Sequence, residues 1–308
     1  MSSIKLLHYV HLKPLKIQSL SRDPDETLTL ALTRSLRSLL PILRSPPPIP
    51  FSYLSRFLEI LALAIAGAAA SAASGYESKA LSAHLDFTVG LLDACNAASA
   101  AIEGIRLRVL RLRYGLHLLD RDALAKWAAR PGNEIRGGTA DLIRRLGTKD
   151  TPRGKGDAVR RATQAVETVG GLVMATVVAV LCGGEGSDPL VGIRASSELP
   201  WAEAFDEVKA AVSDRLWKGF SREVEATEAA VRRLTAVIDE GDDGNEERLK
   251  SAVSEAEKAT GELTAGLDRL ADGVNGVFDA TMSSRDMALM NLRIGPKRCI
   301  NNSMPRHK

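Results

Sequence analysis

Aromatic side chains are scarce in this chain: Trp, Tyr and Phe together make up 4% of its 308 residues. A core with so few rings must be filled by aliphatic side chains. Ala, Leu, Arg, Val and Glu are plentiful, the composition of long helices that approach closely through small residues. Cysteine is scarcer still. Cys95, Cys182 and Cys299 are an odd, scattered set without a CxxC pair, which argues against a disulfide framework or a zinc site and for a reducing compartment. Neither sign of charge is in excess: the formal net charge is +3, too near zero to argue for nucleic acid, and no nucleic-acid partner is expected. Acids are missing before Asp23, while Lys5, Lys13, Lys16 and Arg22 stand in that stretch. An acid-poor, basic lead has the composition of an organelle transit peptide or of a disordered arm. Lys13, Pro14 and Lys16 interrupt its apolar residues, which excludes a secretory signal. Residues 1–23 are therefore expected to be disordered or transit-like, 24–294 to form one helical domain, and 295–308 to be a disordered basic tail.

The usual signatures of chemistry are missing as well. There is no HExxH, no GxSxG and no GxGxxG behind a strand. The histidines (His8, His11, His84, His117 and His307) lack the spacing of metal ligands. Gly154-Lys155 invites a phosphate-loop reading that fails: Gly147 is two positions too far upstream, Gly156 stands where Ser or Thr belongs, and no strand precedes it. Lys149, Arg153, Lys155, Arg160 and Arg161 form a local basic patch, read as a solvated loop. Glu203, Asp206 and Glu207 read as the solvent face of an amphipathic helix. Asp93 and Asn96 border an apolar seam, where one interhelical hydrogen bond is the expected role. The expectation is a non-enzyme with no catalytic residue, no metal and no cofactor.

What is present is helical periodicity, organised around residues 168–184, an uncharged run between Glu167 and Glu185. Its length sits at the lower limit for crossing a bilayer, and a helix buried in a bundle looks the same. After a Gly/Asp/Pro loop, Ser197 reads as a helix cap and Pro200 as a first-turn residue of a helix over 198–239. That helix carries the stripe Phe205, Val208, Val212, Leu216 and Phe220, resumed by Val224, Thr227, Val231, Leu234 and Ile238. Trp201 is expected to anchor its start against the 169–181 helix, and Trp127 to matter less. After the turn at 241–245, strict heptads run through Leu249, Ala256, Leu263, Leu270 and Val277, and beside them Val253, Thr260, Leu267, Val274 and Thr281. These two helices are expected to pack antiparallel along their whole length.

Upstream, a helix over 24–43 carries Leu28, Leu32, Ser35, Leu39 and Ile42 on one stripe, and the prolines at 46–48 and 50 end it. The helix over 51–73 is apolar nearly all round, but its uncharged run is too short for a bilayer and reads as buried. A long helix over 78–119 has a seam at Thr88, Leu91, Cys95, Ala98, Ile102, Ile105, Val109, Leu112, Leu116 and Leu119. Arg106, Arg108, Arg111 and Arg113 flank it and are expected to lay their stems along it with their heads in water. An anionic-lipid or nucleic-acid face is the minor alternative, since no aromatics are interleaved for stacking. Residues 130–157 are loop-rich, with one short helix over 139–146. The fold class is all-α: an elongated bundle of long antiparallel helices with coiled-coil-like packing.

Three short segments carry a resemblance. Leu91-Leu92-Asp93-Ala94-Cys95-Asn96 is similar to an "LLDLCN" segment, Ser197-Glu198-Leu199-Pro200-Trp201-Ala202 to an "ELPWA" signature, and Ser283-Ser284-Arg285-Asp286-Met287-Ala288-Leu289 to an "SGRDALL"-like segment. All three occur, in this order, in the plant BYPASS-like (BYPASS-related) proteins. The chain resembles that family over about residues 25–294; it departs at Phe51-Ser52-Tyr53-Leu54, where the family has a Trp-containing helix start. The resemblance implies a plant developmental protein without an established biochemical activity, restraining a root-derived mobile signal that controls shoot growth. It also implies membrane association through the segment matching 169–181. Three functions follow as expectations: a membrane-associated interaction protein (through 168–184), a soluble helical scaffold, or an enzyme acting on a small apolar metabolite. The expected location is a membrane or the cytoplasm, with the plastid as the alternative.

Overall fold

The computed structural model describes residues 24–43, 48–72, 78–128, 139–147, 158–182, 188–216, 221–240 and 246–294. Among these described residues there are nine helices and no strand. They are α1 (Pro24–Leu43), α2 (Phe51–Ala72), α3 (Ser78–Leu118), α4 (Arg121–Ala128), α5 (Thr139–Leu146), α6 (Ala158–Cys182), α7 (Ala202–Leu216), α8 (Arg222–Glu240) and α9 (Glu246–Ile294). The expected lead, tail and proline connector lie mostly outside the described residues. The all-α bundle is as the periodicity implies.

Four helices form the centre, α2 and α3 each packing on both α6 and α9. Two of the pairs run antiparallel. Down the α3–α9 pair, Arg285 donates to the Leu85 carbonyl (3.0 Å), Arg106 to Asp268 (2.7 Å) and Arg113 to Thr264 (3.0 Å). For α2 and α6, Leu61 meets Gly170, and farther along, α1 bridges Gly67 (through Leu28) and Arg161 (through Asp25). The α2–α9 pair corrects the expected pattern, because it is parallel. Phe51 packs on Gly266 and Leu58 on Gly273, a heptad apart on both helices; a Cβ at either glycine would sit 2.9 Å from the partner side chain. Absence of a side chain at both positions is what lets these axes approach. Both heptad lines of α9 face inward: Ala256, Leu263, Leu270 and Val277, with Thr260, Leu267, Val274 and Thr281, are buried. The threonines satisfy their hydroxyls locally, Thr260 on the Ala256 carbonyl (2.6 Å) and Thr281 on that of Val277 (2.7 Å).

Several boundaries differ from the sequence expectation. The stripe of α1 is Leu28, Leu32, Leu36, Leu39 and Leu43, with Ser35 and Ile42 only half-buried; Leu28 and Leu32 set a four-residue step that Leu36 continues. The expected helix over 198–239 is two helices. Ser221 caps α8 by accepting the Val224 N–H (3.3 Å), and the Arg222 N–H donates to the Ile49 carbonyl (3.2 Å). Those contacts turn the chain, so that α7 packs on α1 and α6, while α8 packs on α9 and α4. Only α8 is therefore the antiparallel neighbour expected for α9, with Arg233 bonded to Glu255 and Arg248 to Glu240. α7 itself begins at Ala202, after backbone turns from Leu199 N–H to Ser196 and from Ala202 N–H to Leu199, and Ser197 is exposed.

Candidate functional site

The apolar run that dominates the sequence is the middle of α6, and the bundle surrounds it. Among the described residues, three helical stretches are long and apolar enough to cross a membrane, and their burial separates them. In Val159–Cys182 89% of the apolar window is buried, against 50% for Phe51–Ala70 and 39% for Ser82–Leu118. The 51–73 helix, excluded as a span on its short uncharged run, thus qualifies by length and mean hydropathy. Apolar surface remains open on α3, and also near the end of α9 at Met282, Met287, Leu289 and Met290. Leu107, Leu110, Tyr114 and Leu118, spaced by three and four residues, line the outer face of α3, with Leu110 and Tyr114 64% and 63% exposed.

At the end of α3 the chain makes a sharp reversal. Leu119 takes a left-handed backbone (φ 51°), and the Asp120 N–H closes back on the Gly115 carbonyl (2.9 Å), ending the helix in a Schellman-type turn. The Asp120 carboxylate then caps the next helix by accepting the N–H groups of Asp122 (3.0 Å) and Ala123 (3.3 Å). α4 folds against α3 and α8, with Arg121 paired to Asp239. Its apolar pair Leu124 and Trp127 turns inward. The sequence reading missed this helix, although the Asp120 cap and the three-residue step from Leu124 to Trp127 are its local signal.

Between α3 and α4 lies an open groove of about 660 Å³, lined chiefly by Leu110, Tyr114, Ala123 and Trp127 with the cations Arg108, Arg111 and Lys126. The guanidinium of Arg108 lies 4.6 Å from the centre of the Trp127 ring and donates to the Trp127 carbonyl (3.0 Å). Burial lowers the Arg108 pKa, and the nearby Glu228 opposes that. The expected absence of aromatics among these arginines is therefore corrected: Tyr114, on the same helix, and Trp127, folded back from α4, stand beside them. Of the other flanking arginines, Arg106 pairs with Glu103 (2.6 Å) and Asp268, and Arg113 bonds Thr264.

The remaining candidates do not gather. Asp93 makes an interhelical contact, to Arg145 of α5 at 3.3 Å, on the surface, and Asn96 is exposed. Glu203, Asp206 and Glu207 are exposed, Glu203 facing Arg37 at 3.7 Å. His117 is exposed, His84 is buried, and His8, His11 and His307 lie outside the described residues. So do Lys149, Arg153 and Lys155; Arg161, of the same patch, pairs with Asp25 at 2.7 Å. No cluster of three or more potential metal ligands occurs among the described residues.

The buried titratable groups belong to different parts of the core. Burial, with some help from Arg285, lowers His84 to about 4. Burial pushes the Cys95 thiol up to about 12, leaving no thiolate at neutral pH, and raises the Tyr53 phenol against the pull of Arg215. Glu223 is also raised by burial, opposed by the Phe51 N–H, which donates to both its oxygens at 3.0 Å. That carboxylate sits at the N-terminus of α2, where it satisfies a helix-end donor.

Comparison with known proteins adds relatives but no architecture. No family model matches the chain, and no solved structure does. Protein BPS1, chloroplastic, from Arabidopsis thaliana is 29% identical over 246 residues, covering 71% of this chain and 68% of that protein. UPF0496 protein 4 of Oryza sativa subsp. japonica is 28% identical over 189 residues, and its counterpart in Oryza sativa subsp. indica 27%. Each rice match covers 52% of this chain but only 41% of the rice protein.

Proposed function

The chain is a BYPASS-related protein, and on that premise we propose that it is a non-enzymatic helical interaction protein that regulates plant development. One observation carries the interaction part of this reading: the outer face of α3 exposes Leu107, Leu110, Tyr114 and Leu118 beside a cation-lined groove, while the more apolar α6 is enclosed. A contiguous apolar patch that the fold leaves open is the ordinary mark of a binding surface. Four buried threonines support the same reading, since Thr163, Thr176, Thr260 and Thr281 each return their hydroxyl to their own helix, while Arg285 and Thr227 make polar links between helices, to Thr88 and to the Ala259 carbonyl.

The developmental role we propose, restraint of a root-derived signal, is what the resemblance to the BYPASS-like proteins implies. Expression of this chain in Arabidopsis lacking BPS1 tests it. Restored shoot growth is expected, and a Leu110→Asp/Tyr114→Asp variant with an unchanged melting point should not restore it. Full rescue by that variant, or none by the wild-type chain, would contradict the proposal. The plastid is the second reading of location, favoured by the acid-poor lead (residues 1–22) and by the chloroplastic name of BPS1. Import into isolated chloroplasts, with and without residues 1–23, decides it: uptake that depends on the lead would favour the plastid, and no uptake would leave the membrane or cytoplasm as the location.

A further inference from the structure

We propose that the groove between α3 and α4 receives an acidic amphipathic helix of a partner protein. The inference rests on the reading of the chain as an interaction protein and supplies the chemistry of the partner. Over the last three turns of α3 both faces are apolar. Val109, Leu112 and Leu116 point into the core, and Leu107, Leu110, Tyr114 and Leu118 point out. The outward residues form one line, and Leu110 and Tyr114 make one wall of the groove; Ala123 and Trp127 of α4 make the other. α4 has eight residues, so the trough is about 12 Å long. That is two turns of a helix, room for a partner's apolar anchors at i, i+3 or i+4, and i+7.

Charge decides which helix fits. Arg106 and Arg121 are neutralised by Asp268 and Asp239, at the edges of this region. Among the described residues, Arg111 on α3 and Lys126 on α4 pair with no carboxylate. Arg108 is held by the ring and carbonyl of Trp127 and feels the buried Glu228, which is itself paired with Arg232 at 3.5 Å. The one carboxylate in the lining, Asp120, is engaged in capping α4. The groove therefore offers an apolar trough with cations on both walls, complementary to an apolar stripe flanked by Asp or Glu. A second copy of the chain would bring the same cations against one another. A bilayer surface is flat, whereas this site is walled on two sides, as a rod requires.

The test is selection from a displayed library of random peptides of about 16 residues against the full chain, with the Arg111→Glu/Lys126→Glu variant as counter-target. Both positions are exposed, and an unchanged melting point verifies that the variant folds. The expected winners carry apolar residues at helical spacing with Asp or Glu between them. Synthetic versions should lose affinity about tenfold or more on the charge-reversed chain and on Leu110→Asp, and weaken as salt is raised. Enrichment of no peptides, of peptides lacking that pattern, or of peptides indifferent to these variants overturns the proposal. Peptides that bind elsewhere overturn the groove alone and leave the reading as an interaction protein standing. In parallel, the chain is sedimented with phosphatidylcholine vesicles with and without phosphatidylglycerol. Binding to the anionic vesicles that is lost in the same variants, with no peptide selected, would make the face a lipid surface and overturn the acidic helix.

Discussion

Trp127 and Trp201 are 3% and 2% exposed, and each is locked by one specific neighbour. Trp201 meets Phe205 edge-on at 5.9 Å, under the start of α7, and Trp127 stacks with Arg108. Truncating either to Ala leaves a cavity, at a cost of about 3–5 kcal/mol. Both variants are thus expected to lower the thermal midpoint strongly, which corrects the sequence-based ranking of Trp201 above Trp127. A melting curve for Trp127→Ala that overlays the wild type would show that α4 is not docked as described. His84 makes a pH-dependent contribution. Between its unfolded value of 6.5 and its folded value of about 4, the unfolded chain binds a proton that the native chain does not. Stability from this group is full above pH 6.5 and falls as pH is lowered through that window, by about 3 kcal/mol at most. Scanning calorimetry from pH 7.5 down to about 4 should show a shallower decline for His84→Gln than for wild type; parallel curves would refute the buried-neutral assignment.

At the scale of elements, period was legible and partnership was not. The heptads of α9, the apolar run of α6 and the limits of α1, α2, α3 and α5 follow from spacing and from Pro and Gly positions in the sequence. The break between α7 and α8 does not, because the apolar stripe keeps its phase across it. What interrupts the helix is the local Ser221 cap on the Val224 N–H together with long-range bonds, since Arg222 and Glu223 engage the loop before α2 and the start of α2. Nothing local to 216–224 encodes a partner more than 170 positions away. The parallel α2–α9 pair was hidden for the same reason, since Gly266 and Gly273 acquire meaning only when Phe51 and Leu58 lie on them. Glu223 gives this junction a direct probe. Glu223→Ala leaves the Phe51 N–H without its acceptor and should cost about 1–3 kcal/mol. Glu223→Gln, which retains an acceptor oxygen, should cost less. Equal losses for the two variants would mean that packing, not the hydrogen bond, ties α2 to α8.

On the scale of the molecule, one arrangement joins fold to function: of the three helical stretches apolar enough for a membrane, the most apolar, in α6, is enclosed, and apolar surface is left open on α3. Sequence reading located the arginines along α3 and expected α6 to be either core or membrane-embedded. It could not place the groove, because Trp127 reaches Arg108 only through the Leu119–Asp120 reversal and the docking of α4. The most direct measurement of this account is amide hydrogen exchange of the full chain in detergent-free buffer, repeated with vesicles. Enclosure of α6 by α2, α3, α5 and α7 predicts that the amides of residues 166–180 are among the slowest in the chain and exchange only by global unfolding. Vesicles should leave them unchanged. Rapid exchange of these amides in buffer, with protection appearing only when vesicles are added, would contradict the enclosed bundle and return α6 to the membrane.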